Sequence, residues 1–251
     1  ILDHSDFASF DLTSLKMLAS GAAPLSAALL RRILEAFPAA EFFQTYGMTE
    51  AAPVLTSLDS NYHVLEGPNS GKLGSVGRSV EHVDLVIADE EDRVLPSNMT
   101  GQILAKGPNI MKGYWKLSEA TQKALEGGWY HTGDAGYLDD DGFLFLEGRV
   151  KDMIVSGGEN VYPIEVENVL ESHPAVHQCA VIGIPHDTWG EAVHAIVILK
   201  DRCEATEDGL ILFCKEAIAG YKCPVSVTFR LDPMPLSPIN KILKTELRKP
   251  F

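Results

Sequence analysis

Residues 129–167 read WYHTGDAGYLDDDGFLFLEGRVKDMIVSGGENVYPIEVE, and they constrain the fold more than any other stretch of the chain. A carboxylate (Asp134), a guanidinium (Arg149), a charged pair (Lys151-Asp152) and a glycine turn (Gly157-Gly158) all fall between positions 134 and 158. Buried strands do not accommodate that mixture, and a surface loop has no need of such fixed spacing. The segment is therefore expected to be the joint between two domains that share one nucleotide.

The texture on either side supports two bodies. Leu15–Ala19 reads as a strand, and Ser26 as the cap of a helix with Leu29, Leu30, Ile33, Leu34 and Phe37 on its apolar face. Glu41–Gln44 reads as a second strand, so residues 1–70 suggest an α/β layer. Short strands with Gly, Asp and Pro turns follow over 71–147 (Val83–Ala88, Gln102–Lys106, Phe143–Leu146), predicting a small β barrel or distorted sheet. After Arg149 the pattern changes again. A helix opens at Pro163, strands follow at Ala180–Ile184 and Val193–Leu199, then a helix over 207–219 and a strand over 225–231. A last helix is expected from Lys241. The fold class is thus α/β and α+β: residues 1–149 as the end of a large domain, residues 150–251 as a compact α+β domain.

Composition limits the partners. With 45% hydrophobic and 22% charged residues the chain is ordinary globular material, and its formal net charge of −14 excludes a nucleic-acid or anionic-membrane footprint. No apolar run approaches the ~20 residues of a membrane span. Cys179, Cys203, Cys214 and Cys223 form no C-x-x-C pair, and three lie in apolar surroundings, so thiols in a reducing, cytoplasmic compartment are expected. The sequence opens at Ile1 with no initiating segment, from which a fragment is expected; a homo-oligomer is compatible with it.

Several residues could carry chemistry. Tyr46-Gly47-Met48-Thr49-Glu50 follows a strand and offers an aromatic ring, a close approach for a phosphate, a hydroxyl and a carboxylate for Mg²⁺. A plain strand-to-loop turn with an exposed Glu50 explains the same residues. Asp134 could accept from both hydroxyls of a ribose, with Arg149 donating to the same sugar or to a phosphate; an Asp turn cap and a surface Arg are the alternative. His131 reads as structural. Lys241, in the proline-stiffened stretch Pro235–Lys244, could clamp an anion, or be a solvated lysine like Lys244 and Lys249. GPNSGK over residues 67–72 falls one residue short of a Walker loop and has Leu73 where Ser or Thr is needed, so it reads as a turn.

In their order and spacing these motifs resemble the adenylate-forming superfamily, and within it the acyl-CoA synthetases of the fatty-acid or aryl-acid type. The resemblance runs over essentially the whole chain. It implies an ATP-dependent acid–thiol ligase that activates a carboxylic acid, a fatty acid being expected, and passes the acyl group to CoA. On that resemblance Gly21-Ala22-Ala23 corresponds to the adenine-binding turn, Tyr46 and Gly47 to the adenine and phosphate contacts, Thr49 to the α-phosphate hydroxyl and Glu50 to the Mg²⁺ ligand. Asp134 and Arg149 correspond to the ribose contacts, Lys151 to the hinge, Gly157 and Gly158 to the pantetheine channel, and Lys241 to the lysine of the adenylation step. ATP or AMP, Mg²⁺ and CoA are the implied cofactors and substrates, beside a small-molecule acid. Two departures stand out: Asn240 replaces the family's glycine before that lysine, and the upstream phosphate loop is absent. The resemblance therefore also allows a sibling enzyme with a carrier protein or oxygen as acceptor, or an inactive adenylate-binding module. A structural protein that binds no nucleotide is the remaining alternative.

Overall fold

The computed structural model describes residues 2, 4–21, 25, 27–238 and 241–251, with the backbone alone at 27 and 28. The chain divides into two compact units, Ile1–Leu146 and Glu147–Phe251.

The first unit opens with β1 (Met17–Ser20), α1 (Ala27–Ala36) and β2 (Glu41–Gly47). β1 and β2 pair in parallel, Met17 opposite Glu41, so the chain between them must cross over and α1 is that crossover. The first strand starts two residues later than the sequence suggests, because Leu15 closes a turn onto the Leu12 carbonyl. The cap assigned to Ser26 lies outside the described residues. Leu30 of α1 is buried with Phe42 and Leu73, and Leu18, Ile33 and Leu34 pack around them. β3 (Val54–Leu58) and β4 (Arg78–Ser79) extend this sheet antiparallel, in the order β1-β2-β3-β4.

The β-rich expectation for 71–147 takes the form of a four-stranded sheet: β5 (Asp84–Ala88), β6 (Gly101–Lys106), β7 (Tyr130–Leu138) and β8 (Leu144–Arg149) in sequential order, with the short α2 (Ser118–Ala124) before β7. Alternate residues of these strands meet in one core, where Ile87, Ile103, Ala105, Tyr130 and Leu144 join Tyr46 and Leu55 of the first sheet. Ser70–Lys72 is a 3-10 turn whose lysine binds two carboxylates of the β7–β8 connection, Asp139 and, at 2.7 Å, Asp141. That loop is a structural staple.

The second unit begins with the hairpin β9 (Ile154–Ser156) and β10 (Glu159–Val161) and continues into α3 (Pro163–Ser172). Pro163 sits in the first helical turn, where its missing N–H has no helical partner to lose. A long hairpin of β11 (Val176–His186) and β12 (Gly190–Leu199) follows, then α4 (Glu207–Ala217), β13 (Ser226–Phe229) and α5 (Lys244–Arg248). Thr206 caps α4 by accepting from the Gly209 N–H at 3.1 Å. β13 joins β12 in parallel. Both faces of the hairpin are covered. Cys179, Val181, Val193, Ala195 and Val197 pack with Val166 and Leu170 of α3 and Leu210 and Cys214 of α4. Ala180, Ile182 and Ile196 pack with Met234 and Leu247, with Ile242 alongside. This is the expected α+β body.

Its last helix differs from the expectation: it begins at Lys244, not Lys241. The Ser237 N–H donates to the Lys241 carbonyl at 2.8 Å, Leu236 bridges to Ile242, and the Leu243 N–H returns to the Pro235 carbonyl at 2.8 Å. This small antiparallel closure uses the backbone groups that a helix starting at Lys241 would need.

Candidate functional site

The end of β2 is shaped by a glycine. The pairing of β2 with β3 shifts register between Tyr46 and Gly47, and a Cβ on Gly47 would lie 1.9 Å from the Pro53 carbonyl oxygen. Only glycine permits that approach, which turns the chain out of the sheet into the 3-10 turn Thr49–Ala51. Ala52 then takes a left-handed conformation, φ 51°. Thr49 is exposed at the start of the turn, and Glu50 is half-buried within it.

Tyr46, 8% exposed, donates its phenolic O–H to Asp134 Oδ2 at 2.8 Å across 88 residues of sequence. Asp134, 9% exposed, lies in the middle of β7, and its N–H donates to Thr132 Oγ at 3.1 Å. Thr132 in turn donates to the Ile103 carbonyl at 2.8 Å, so β7 is pinned to β6 beside the carboxylate. Two residues that the sequence reading assigns to one ligand thus share a hydrogen bond.

Glu50 is held from the segment after β6. Its carbonyl accepts from the Met111 N–H at 2.8 Å, and its Oε1 accepts from the Tyr114 O–H at 2.9 Å. The Asn109 amide donates to the carbonyls of Ala51 at 2.8 Å and Val54 at 3.0 Å, bracketing the turn from its far side. Burial, and then the Glu50 carboxylate, push the Tyr114 phenol above its ordinary range; Tyr130 is pushed further up, by burial first and then by Glu50 and Tyr114. Both phenols therefore stay protonated, as donors, at neutral pH. Nothing in local spacing marks Asn109, Tyr114 or Tyr130, and Tyr114 meets Glu50 across 64 residues of sequence.

The donor set suits one kind of metal. Among the described residues no three His, Cys, Asp or Glu side chains gather into a cage. A single half-buried carboxylate with one oxygen engaged by a phenol fits Mg²⁺ brought by a nucleotide, since that ion takes one or two protein carboxylates and completes its shell with water and phosphate oxygens.

Other residues are placed individually. Gly21 follows β1 where a Cβ would approach Thr45 Oγ to 2.9 Å; Ala22 and Ala23 lie outside the described residues. His131 Nε2 stands 3.3 Å from the Glu126 carbonyl and 3.7 Å from Asp92, a structural setting. In the second unit, Arg149 ends β8 and Lys151 lies exposed in the 3-10 turn Val150–Asp152. Gly157 and Gly158 form the two-residue loop between β9 and β10, with φ of 61° and 89°, the backbone of a type I′ turn. The Gly157 N–H donates to the Trp189 carbonyl at 3.0 Å, and the Trp189 ring stacks on His186 at 4.4 Å. Lys241 is exposed, and its ammonium pairs with no carboxylate among the described residues. Lys244 and Lys249 differ: they bind Glu167, at 2.6 Å, and Glu246.

An α/β unit that presents a hydrogen-bonded carboxylate and a glycine-shaped turn, with a separate α+β unit after it, is compatible with the class of enzymes that bind AMP. The chain belongs to that family: the sequence model of the AMP-binding enzymes matches residues 1–115, and that of the AMP-binding enzyme C-terminal domain matches residues 165–241. A feruloyl-CoA synthase of an Amycolatopsis species is 44% identical over all 251 residues, which are 49% of its own length. A long-chain-fatty-acid–CoA ligase of Escherichia coli is 37% identical over 250 residues, covering 99% of this chain and 42% of that one. Among solved structures, the o-succinylbenzoate CoA synthetase of Bacillus subtilis in complex with its acyl-adenylate intermediate superposes with a TM-score of 0.83 at 36% identity, covering 93% of this chain and 46% of that one. The chain spans about half the length of the curated relatives it matches.

Proposed function

We propose that this chain belongs to an AMP-forming acid–thiol ligase that activates a carboxylic acid as its acyl-adenylate and transfers the acyl group to CoA. The observation that carries the proposal is the Tyr46–Asp134 hydrogen bond, which sets a buried carboxylate beside an aromatic ring in a chain of AMP-binding ancestry. In the first step the acid's carboxylate attacks the α-phosphorus of ATP and pyrophosphate leaves. In the second the CoA thiolate attacks the acyl carbon and AMP leaves.

Asp134 accepts the ribose hydroxyls and Arg149 donates to the same sugar or to phosphate; Gly21, Ala22, Ala23, Tyr46 and Gly47 line the adenine and phosphate side. Thr49 donates to the α-phosphate. Two anions meet in the first step, and Lys241 supplies an ammonium there, a contribution of about 3–4 kcal/mol to the barrier for one well-placed donor. Glu50 would hold Mg²⁺, which when bound adds positive charge at the phosphate oxygens. Lys151 is the hinge residue, and Gly157 and Gly158 line the path of the pantetheine arm. The named relatives act on an aryl and a fatty acid, and the higher identity to the feruloyl-CoA synthase favours an aryl acid over the expected fatty acid.

Domain limits of 1–149 and 150–251 and a cytoplasmic setting belong to the same proposal. Supporting them are the two compact units, three buried free thiols (Cys179, Cys214, Cys223) and the absence, among the described residues, of a helix long and apolar enough to cross a membrane. The chain alone, without a phosphate loop, binds AMP weakly and turns nothing over. The test is pyrophosphate exchange by the full-length protein across aryl, fatty and short branched acids, followed by thioester formation with CoA. Exchange with at least one acid and CoA-dependent release of AMP are expected; no exchange with any acid overturns the proposal, and exchange with transfer only to a carrier protein redirects it.

A further inference from the structure

Four hydrogen bonds run from the segment 109–114 to the turn that carries Glu50, two of them onto Glu50 itself. Asn109 brackets the turn carrying Glu50 through the carbonyls of Ala51 and Val54, the Met111 N–H binds the Glu50 carbonyl, and the Tyr114 O–H binds Glu50 Oε1. The segment is itself anchored. The Tyr114 N–H donates to Thr121 Oγ at 2.9 Å, and Thr121 caps back onto the Leu117 carbonyl at 2.8 Å. Behind the phenol stands Tyr130, buried in the core of the first unit.

A turn can be fixed by its backbone alone, so Asn109 and Met111 explain where Glu50 sits. They do not explain a phenol on the carboxylate itself. From this geometry we propose that Tyr114 is a positioning residue: it engages Oε1 and so turns Oε2 of Glu50 toward the divalent cation that arrives with the nucleotide. The inference rests on the reading of Glu50 as metal ligand given above. A carboxylate on a mobile side chain must be ordered when the ion binds, and a donor on one oxygen removes that cost beforehand.

The test is calorimetric titration of the full-length protein with ATP, with Mg²⁺ and in chelator, for Tyr114→Phe, Tyr130→Phe and Glu50→Gln, beside the Mg²⁺ concentration giving half-maximal pyrophosphate exchange. Tyr114→Phe removes one oxygen and keeps the ring. It should raise the Mg²⁺ requirement tenfold or more, within the ~10–100-fold typical of a lost partner behind a metal ligand. Its ATP affinity in chelator should stay at the wild-type value. Tyr130→Phe keeps the Tyr114 hydroxyl on Glu50 and removes only the hydrogen bond between the two phenols, so its Mg²⁺ requirement should rise less than that of Tyr114→Phe whatever its effect on thermal stability. An unaltered Mg²⁺ requirement in Tyr114→Phe overturns the proposal, as does an equal rise in both tyrosine variants, which marks a packing effect. If Glu50→Gln abolishes the Mg²⁺ response while Tyr114→Phe does not, the positioning role alone fails. If Glu50→Gln also responds normally to Mg²⁺, Glu50 is not the ligand and both readings fall.

Discussion

Replacing Tyr46 by Phe and Asp134 by Ala, singly and together, tests whether the two residues act as a unit. Their hydrogen bond is 2.8 Å long and both side chains are nearly buried, so water can replace neither partner readily. A hydrogen bond to a charged group contributes about 1.5–3 kcal/mol net. Tyr46→Phe removes the donor yet leaves the carboxylate, and each single change should destabilise the first unit by an amount of that order. If the bond is the shared element, the double variant should lose little more than the worse single variant, a coupling of about 1.5–3 kcal/mol. The same cycle can be read on AMP affinity. Without the phenol the carboxylate must be ordered by the ligand, at about 0.5–1.5 kcal/mol for one immobilised side chain, so Tyr46→Phe should weaken AMP about threefold to tenfold. In an Asp134→Ala background the further loss of the phenol should leave AMP affinity unchanged. The assays are urea unfolding followed by circular dichroism and calorimetric titration with AMP, both on the full-length protein. Additivity within about 0.5 kcal/mol in both assays would refute the reasoning, because side chains that share a bond cannot behave as independent sites.

Lys241→Ala should lower adenylation by about 10²–10³ while thioester formation from preformed acyl-adenylate is largely retained; equal loss of both half-reactions, measured separately, contradicts its assignment. Lys151→Pro should spare adenylation and slow thioester formation, so unchanged rates of the second step would argue against a hinge there. Gly47→Ala forces a Cβ to within 1.9 Å of a backbone oxygen and should destabilise the first unit by about 3 kcal/mol or more, read as a lowered urea midpoint. His194 is buried with Nδ1 against Ser226 Oγ at 2.7 Å and Nε2 without a hydrogen-bond partner among the described residues. Burial lowers its pKa, against a smaller opposing pull from Glu207. The folded state therefore binds this proton more weakly than the unfolded state does. Stability is fully present above the ordinary histidine range near pH 6.5 and is lost as the pH falls through it toward the folded value. A His194→Gln variant should lose less stability than the parent between pH 7.5 and 5.5, and identical slopes would count against this.

Much of the fold was legible because periodicity is local. Leu29, Leu30, Ile33 and Leu34 mark one helical face without reference to any distant residue, and the apolar runs of β11 and β12 mark a strand pair covered on both faces. What spacing could not show was competition between alternatives at one backbone position. The segment around Lys241 carries a helix-like pattern, yet the closure of Ser237 onto Lys241 fixes those groups first. The site divides along the same line. Tyr46, Glu50 and Asp134 are marked as candidates by residue type and neighbouring glycines. Tyr114 and Asn109, which hold Glu50, sit in an ordinary-looking stretch, and their contacts exist only once the β5–β8 sheet packs against the sheet that carries β2 and β3.

The double covering of the β11–β12 hairpin has a consequence for how the second unit is made. Met234, Ile242 and Leu247 close one face of a sheet whose other face is already closed by α3 and α4. Until Met234, Ile242 and Leu247 have all left the ribosome, Ala180, Ile182 and Ile196 lack their full cover on that face. A message truncated before that point would yield a sticky, protease-sensitive half-body rather than a shortened but folded unit.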